Sequence, residues 1–474
     1  MTDMENTKPG PSPVPAENKM GVMPIGKLVV TMSIPMMISM LVQAMYNIVD
    51  SVFVAQVSEN ALTAVSLAFP IQNLMIAVAI GTGVGVNALL SKSLGEKNFF
   101  MSNKAANSAL LLAFLSWILF VIIGLTVTRP FFVMQTNVTE IVDYGYQYLV
   151  ICSVLSIFVF QEIAVERLLQ STGKAMLFMI VQAVGAVTNI ICDPILIFGL
   201  GPFPRMEVAG AAIATVFGQF VGMVVGFVLN EKYNKEVTLK FSEIIKPYPP
   251  AIKRIYLVGV PSIIMASVGS VMVFGMNKIL IAFNTTATAV FGVYFKLQSF
   301  FFMPVFGLNN GLVPIIAYNY GAKRGDRMKE AVIVGMKLAF GIMAVGTAIF
   351  MLFPKFLLKM FNASDNMIAI GIPCLRIISI VFVFAAIAIV AGSTFQAVGN
   401  GFMSMWVSVL RQLVILLPAA FLLSRLGNVD LVWWSYPIAE IGSLVLSLIF
   451  LSKIVKEKMD PLDPTGNMGL LPKR

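Results

Sequence analysis

NSALLLAFLSWILFVIIGLTVT occupies residues 107–128 and carries no charged side chain across 22 positions. A hydrocarbon core of about 30 Å is crossed by roughly 20 apolar residues, each rising about 1.5 Å along a helix. The stretch therefore reads as a bilayer-spanning helix. Comparable runs fall at 28–56, 60–91, 141–165, 175–199 and 208–230, and again at 254–283, 287–317, 329–353, 367–393, 403–425 and 431–453. With 107–128 they make twelve expected spans, and the fold class is all-α membrane protein.

The rest of the composition agrees. Of 474 residues, 58% are hydrophobic and 12% charged, against about 25% charged in a soluble domain. Mean hydropathy is +0.88. No interval between the apolar runs holds a soluble domain. The chain contains no histidine, which removes imidazole as a metal ligand, a triad base or a proton shuttle. No metal site, cofactor or enzymatic centre is expected. Cys152, Cys192 and Cys374 all lie in apolar runs without disulfide or CxxC spacing and read as packing residues. The chain shows no GxxxxGK[ST] loop, so energy for any transport must come from a gradient.

The net charge of +10 is not a nucleic-acid footprint, because the basic residues flank apolar runs instead of clustering among aromatics. With the amino terminus inside, 23 Lys and Arg fall in inner loops and tails, and only Arg129, Arg205, Lys355, Lys359 and Arg425 fall outside. This bias places both termini in the cytoplasm of a multi-pass plasma-membrane protein. Residues 1–27, with Pro9, Pro11, Pro13 and Pro15, read as a disordered cytoplasmic tail, and 456–474 as a second tail.

Sliding the chain against itself by 226 positions pairs Pro35 with Pro261, Phe69 with Phe295, Gln72 with Gln298, Gly95 with Gly321 and Lys97 with Lys323. The same shift pairs Gln170 with Gln396 and Gly173 with Gly399. One shift over six spans signals a duplicated unit. An even number of spans per unit gives two parallel halves, 28–230 and 254–455, joined by a cytoplasmic linker at 231–253. Two such lobes around a central cleft, rocking to expose it to either side, make a transporter. A monomer suffices for this design.

Several stretches carry a family resemblance: YNIVDSVFVAQV at 46–57, LAFPIQNL at 67–74, GTGVGVNALLSKSLGEKN at 81–98, LLQSTGKAM at 168–176, NIICDPILIFG at 189–199 and VPIIAYNYGAKR at 313–324. With Pro35 they resemble the multidrug and toxic compound extrusion (MATE) family over about residues 25–455. The resemblance implies a twelve-helix antiporter expelling cationic, amphipathic compounds in exchange for protons or sodium ions. It also implies an acid in the first helix and an Asn-xxx-Asp pair in the fifth, a pattern that Asp50, Asn189 and Asp193 match here.

The residues themselves support a coupling role. Asp50 and Asp193 lie about 33 Å and about 27 Å along outward-running helices, at similar depth. An ionised carboxylate in a membrane helix is costly, so it faces a cavity, finds a partner or takes up a proton. Asn189, four residues before Asp193, shares its helix face. The alternative is that Asp50 ends a helix and that Asp193 serves the backbone loosened by Pro194. Under the 226 shift Asp50 meets Met276 and Asp193 meets Ala419, so neither charge belongs to the shared scaffold. The seventh and tenth spans lack the acids that some sodium-coupled relatives place there, which favours H+ over Na+.

Gln43, Gln72, Asn73, Gln161, Gln298 and Gln396 are intramembrane amides suited to lining a substrate cleft or to joining helices. Lys296, deep in its span, is expected to approach a carboxylate across that cleft. Arg411 and Glu440 reach similar depth on neighbouring helices and read as a structural ion pair. Glu162, Glu166 and Arg167 read as interfacial or gating groups. Pro35 and Pro194 are expected hinges. The expected partners are small-molecule substrates and membrane lipid. A rival reading is a flippase or exporter of an anionic lipid-linked saccharide or endogenous metabolite, for which Lys278, Lys296, Arg376 and Arg411 would supply cationic contacts.

Overall fold

The computed structural model describes residues 18–361 and 363–463. Apart from short connections, these residues are helical. A short helix α1 (Lys19–Val22) precedes α2 (Ile25–Ala55), α3 (Glu59–Gly95), α4 (Phe99–Thr126) and α5 (Thr128–Val133). Then come α6 (Thr139–Val154), α7 (Ile157–Ser171), α8 (Ala175–Phe198), α9 (Glu207–Tyr233) and the linker turn α10 (Phe241–Ile244). The second half runs α11 (Pro249–Ile281), α12 (Thr285–Gly321), α13 (Gly325–Leu352), α14 (Pro354–Lys359), α15 (Asp365–Ser379) and α16 (Phe382–Ala397). It closes with α17 (Gly401–Val409), a π-helical stretch Leu410–Leu416, α18 (Leu417–Ser424), α19 (Val429–Trp433) and α20 (Ser435–Ile454).

Ten helices among the described residues are long and apolar enough to cross a bilayer, and two bent pairs complete the expected twelve. The pairs α6–α7 and α15–α16 break by 47° and 48°. These breaks lie 225 residues apart, and the bounds of α3 and α12, of α4 and α13, and of α5 and α14 lie 226 apart. The local geometry repeats as well. Ser58 and Asn284 cap α3 and α12 with φ near −168° and −167°, their side chains accepting from the amides of Ala61 and Ala287. This is N-capping of the usual kind, made twice by different side chains. Lys97 and Lys323 both sit in left-handed backbone, at φ 57° and 56°.

The halves meet through glycines at equivalent places. A Cβ on Gly95 would stand 1.9 Å from the Tyr318 carbonyl oxygen, and one on Gly321 would stand 2.0 Å from that of Lys92. Gly81 packs on the Ile263 backbone and Gly307 on that of Met37; Gly85 meets Gly259 and Gly311 meets Ser33. Small residues let helix backbones approach where no water-driven force holds them together. These contacts concentrate at the end of the molecule that carries the basic loops. Farther along, Asn73 Nδ2 donates to Ser270 Oγ at 3.1 Å.

The structure orders part of both expected tails. Residues 18–27 are not a loose tail: Met20 is buried, its carbonyl accepts from Asn319 Nδ2 at 3.1 Å, and α2 begins at Ile25. Polar contacts explain the order, since Arg327 Nη2 also donates to the carbonyls of Met20 and Met23. Residues 1–17, which hold the four prolines of the tail reading, lie outside the described residues. The carboxyl end likewise remains helical through Met459 and docks by Asp460 and Asp463 on Lys329; 464–474 lie outside the described residues. The linker is pinned to the first half, where Asn107 bonds the Thr238 carbonyl and the Lys240 amide.

Candidate functional site

A cavity of about 620 Å³ opens inside the first half, walled by α2, α3, α6, α7, α8 and α9. Its lining combines Phe69, Met75 and Phe178 with Gln43, Gln72, Asn73 and Asn189, and it carries three carboxylates, Asp50, Glu162 and Glu166. A large pocket with apolar walls and a few polar groups suits a drug-sized ligand. The second half contributes nothing to this lining, so it is not a cleft shared equally by two lobes.

Asp50 reaches the wall from α2, which continues unbroken through Pro35. The residue is buried and its Oδ1 has no hydrogen-bond partner among the described residues. Asp193 lies one turn beyond Asn189 on α8, which runs unbroken through Pro194. It is fully buried and does not itself line the cavity, so Asn189 stands between the two. In the amide orientation that satisfies both its groups, Asn189 donates to Asp193 Oδ2 at 3.2 Å and accepts from the Thr215 amide at 3.0 Å. Asp193 Oδ1 is left without a partner. None of the ion pairs found among the described residues involves Asp50 or Asp193. Each acid thus keeps one buried oxygen without a partner among the described residues.

The expected cleft amides divide. Gln43, Gln72 and Asn73 line the cavity, and Gln72 Nε2 donates to the Tyr148 hydroxyl at 3.1 Å. Gln161 does not, because its Nε2 is spent on the Leu110 carbonyl at 3.1 Å and ties α7 to α4. Gln298 lies in the other half, accepting from the Tyr294 hydroxyl at 2.6 Å. Gln396 is also there, with Nε2 3.8 Å from Met265 Sδ. Lys296 is exposed, does not line the cavity and joins none of the ion pairs found among the described residues. Arg411 Nη1 lies 3.3 Å from Glu440 Oε2. Lys278 covers the Phe274 ring at 5.7 Å, and Arg376 Nε donates to the Met351 carbonyl at 3.3 Å.

Glu162 and Glu166, expected as interfacial or gating groups, are buried on the cavity wall, with Glu166 Oε1 unpartnered among the described residues and Glu162 Oε1 seated against Gly185 and Gly222. The signal was present: two carboxylates at i and i+4 inside a span share one face, and a face so charged must look into protein or water.

A model of the MatE family matches the chain twice, over 35–195 and 261–422, with starting points separated by the same 226 residues. The chain is 26% identical over 423 residues to the FAD transporter of Shewanella oneidensis, covering 88% of this chain and 92% of that protein. It is 26% identical over 417 residues to the multidrug export protein MepA of Staphylococcus haemolyticus, covering 88% and 91%. Among solved structures it resembles an outward-facing multidrug resistance MATE family transporter of the MOP superfamily (TM-score 0.87, 23% identity, 94% of this chain and 99% of that one). It also resembles a MOP superfamily transporter from Pyrococcus furiosus (TM-score 0.85, 24% identity, 94% and 99%). The structural likenesses concern the fold, while the doubled family match covers most of the chain; the protein belongs to the MatE family of multi-pass membrane transporters.

Proposed function

We propose that this transporter is a secondary exporter of cationic, amphipathic compounds, driven by inward movement of H+ in preference to Na+. The observation that carries the reading is Asp50: a buried carboxylate on the wall of a 620 Å³ cavity, with an unpartnered oxygen and aromatic and amide neighbours. A cationic drug and a proton compete for such a group, and exchange between them is antiport. Asp193, held behind Asn189, extends the same polar column. The two halves, 28–230 and 254–455, serve as the rocking bodies, with both termini cytoplasmic by the distribution of Lys and Arg. The lobe contacts described above then lie on the cytoplasmic side.

The energy scale suffices. One charge crossing the membrane supplies about 2.3 kcal/mol per 100 mV, and each pH unit adds about 1.4 kcal/mol. Exchange of one proton for one monovalent drug cation moves no net charge, so the pH term alone sustains about a tenfold drug gradient per pH unit, and a second proton adds both terms. The deciding experiment is ethidium transport in proteoliposomes under separately imposed proton and sodium gradients. A proton gradient alone is expected to drive it; transport that responds to sodium alone overturns the choice of ion.

A second reading, export of an anionic metabolite, draws support from the relative named as a FAD transporter. Three of the four cations it would use are engaged elsewhere, since Arg411 pairs with Glu440, Lys278 lies over a ring and Arg376 bonds a carbonyl, and the fourth, Lys296, does not line the cavity. Efflux of FAD from loaded proteoliposomes, unaffected by Asp50→Asn, would favour it.

A further inference from the structure

Two side chains link the floor of the cavity to the opposite half of the molecule. Arg167, buried on α7 and lining the cavity, directs Nη1 to Gln170 Oε1 at 2.6 Å. Gln170 Nε2 in turn donates to the Asn310 carbonyl of α12 at 2.5 Å. That carbonyl has a particular history. Its helical donor would be the amide of residue 314, and residue 314 is a proline. The carbonyl of one half, freed by its own proline, is therefore satisfied by a glutamine of the other.

We propose that Arg167 and Gln170 are positioning residues that make closure of the lobes at the basic end depend on what the cavity holds. This rests on the two-lobe exporter reading and adds to it the means by which loading is felt at the lobe contact. Parting the lobes at that end breaks the Gln170–Asn310 bond and leaves the carbonyl without a helical donor. Closure is favoured by that bond. Its strength depends on Arg167, which holds the glutamine amide in the donating orientation.

Arg167 has a competing attraction. Its Nε is buried without a partner, as is Oε1 of the adjacent Glu166, and no ion pair joins them. Gly83 leaves room beside the arginine: a Cβ there would stand 2.7 Å from Cγ and 3.1 Å from Nε. An empty cavity with an ionised Glu166 draws the guanidinium away from Gln170. A cationic ligand at Glu162 and Glu166 removes that pull, and Arg167 returns to the glutamine. Loading with a cation then closes the basic end behind it, the order that export requires.

The device is absent from the other half. At the 226 shift Gln396 replaces Gln170, but Ser393 replaces Arg167 and Ala88 replaces Pro314. Gln396 accordingly finds only Met265 Sδ. The shared glutamine belongs to the duplicated scaffold, whereas the arginine and the proline that give it a task do not.

The test is the distance between spin labels at Met176 and Phe402, equivalent exposed positions at the starts of α8 and α17, measured in nanodiscs with and without ethidium. Native cysteines are replaced by alanine. Gln170→Ala, and Gln170→Glu, which keeps the size but loses the donor, are expected to raise the population open at the basic end by about twofold to tenfold, the worth of one hydrogen bond. Pro314→Ala restores a helical donor to the Asn310 carbonyl, so in that background neither glutamine change should add anything. Arg167→Lys is expected to abolish the ethidium-induced shift toward closure. Glutamine variants that leave the populations unchanged, or that act equally in the Pro314→Ala background, overturn the inference, as does an intact ethidium shift in Arg167→Lys. A wild-type protein whose labels never separate overturns the rocking reading itself.

Discussion

Gly95 and Gly321, 226 residues apart, each press a bare Cα against a backbone carbonyl of the opposite half, Tyr318 and Lys92 respectively. The atoms a methyl group would strike are main-chain oxygens, which have nowhere to turn. Gly95→Ala or Gly321→Ala must push the halves apart at the basic end. We expect either to lose most ethidium transport, while Gly292→Ala and Gly341→Ala, where a Cβ meets nothing within 4 Å, transport normally. Equal activity of all four variants would remove close backbone approach from the description of the lobe contact.

Asp50→Asn should abolish drug-evoked proton release from proteoliposomes while leaving ethidium binding measurable, because the amide keeps the shape of the side chain but cannot exchange a proton. Asp193→Asn should do the same with a weaker effect on binding, since Asn189 separates it from the cavity. Undiminished coupling in both variants would take these acids out of the mechanism.

The Arg411–Glu440 pair is predicted to be structural. Glu440 is buried with Oε1 unpartnered, whereas the Arg411 side chain is 29% exposed. Breaking a buried pair from one side costs up to about 3–5 kcal/mol, and partial exposure of the arginine places this one toward or below the lower figure. Arg411→Ala should therefore lower the thermal midpoint in detergent more than Arg411→Ala combined with Glu440→Gln. A double variant less stable than the single would contradict this.

Arg327 anchors the start of the described chain, bonding Met20 O at 3.1 Å, Met23 O at 2.7 Å and Asn319 Oδ1 at 2.9 Å. Arg327→Ala should expose the backbone near Met20 to limited proteolysis, with cleavage appearing well before any loss of helical circular dichroism. Resistance equal to that of the parent would show that Met20 and its apolar neighbours hold the segment unaided.

The architecture was legible because the forces behind it are local and periodic. A run such as 107–128 has one stable arrangement in lipid, and a constant shift of 226 reports duplication without reference to contacts. Asp50 and Asp193 stood out as candidates for a related reason, since charge inside a span is costly wherever it points, and Asn189 stood out by sharing the face of Asp193. What escaped was direction. Gln161 and Gln72 have the same side chain inside a span, yet one faces the α4 backbone and the other the cavity, and only packing decides between them. The order of residues 18–27 escaped because it comes from Asn319 and Arg327, about 300 positions away. The location of the cavity within one half escaped because both halves share helices but not the side chains that leave space between them.

The paired bends of 47° and 48° bear on ancestry. After the copying event the two halves drifted apart in their intramembrane ionisable residues, yet retained the same elbow at nearly the same place. The contour is thus common to both copies, whereas the cavity and its acids belong to one.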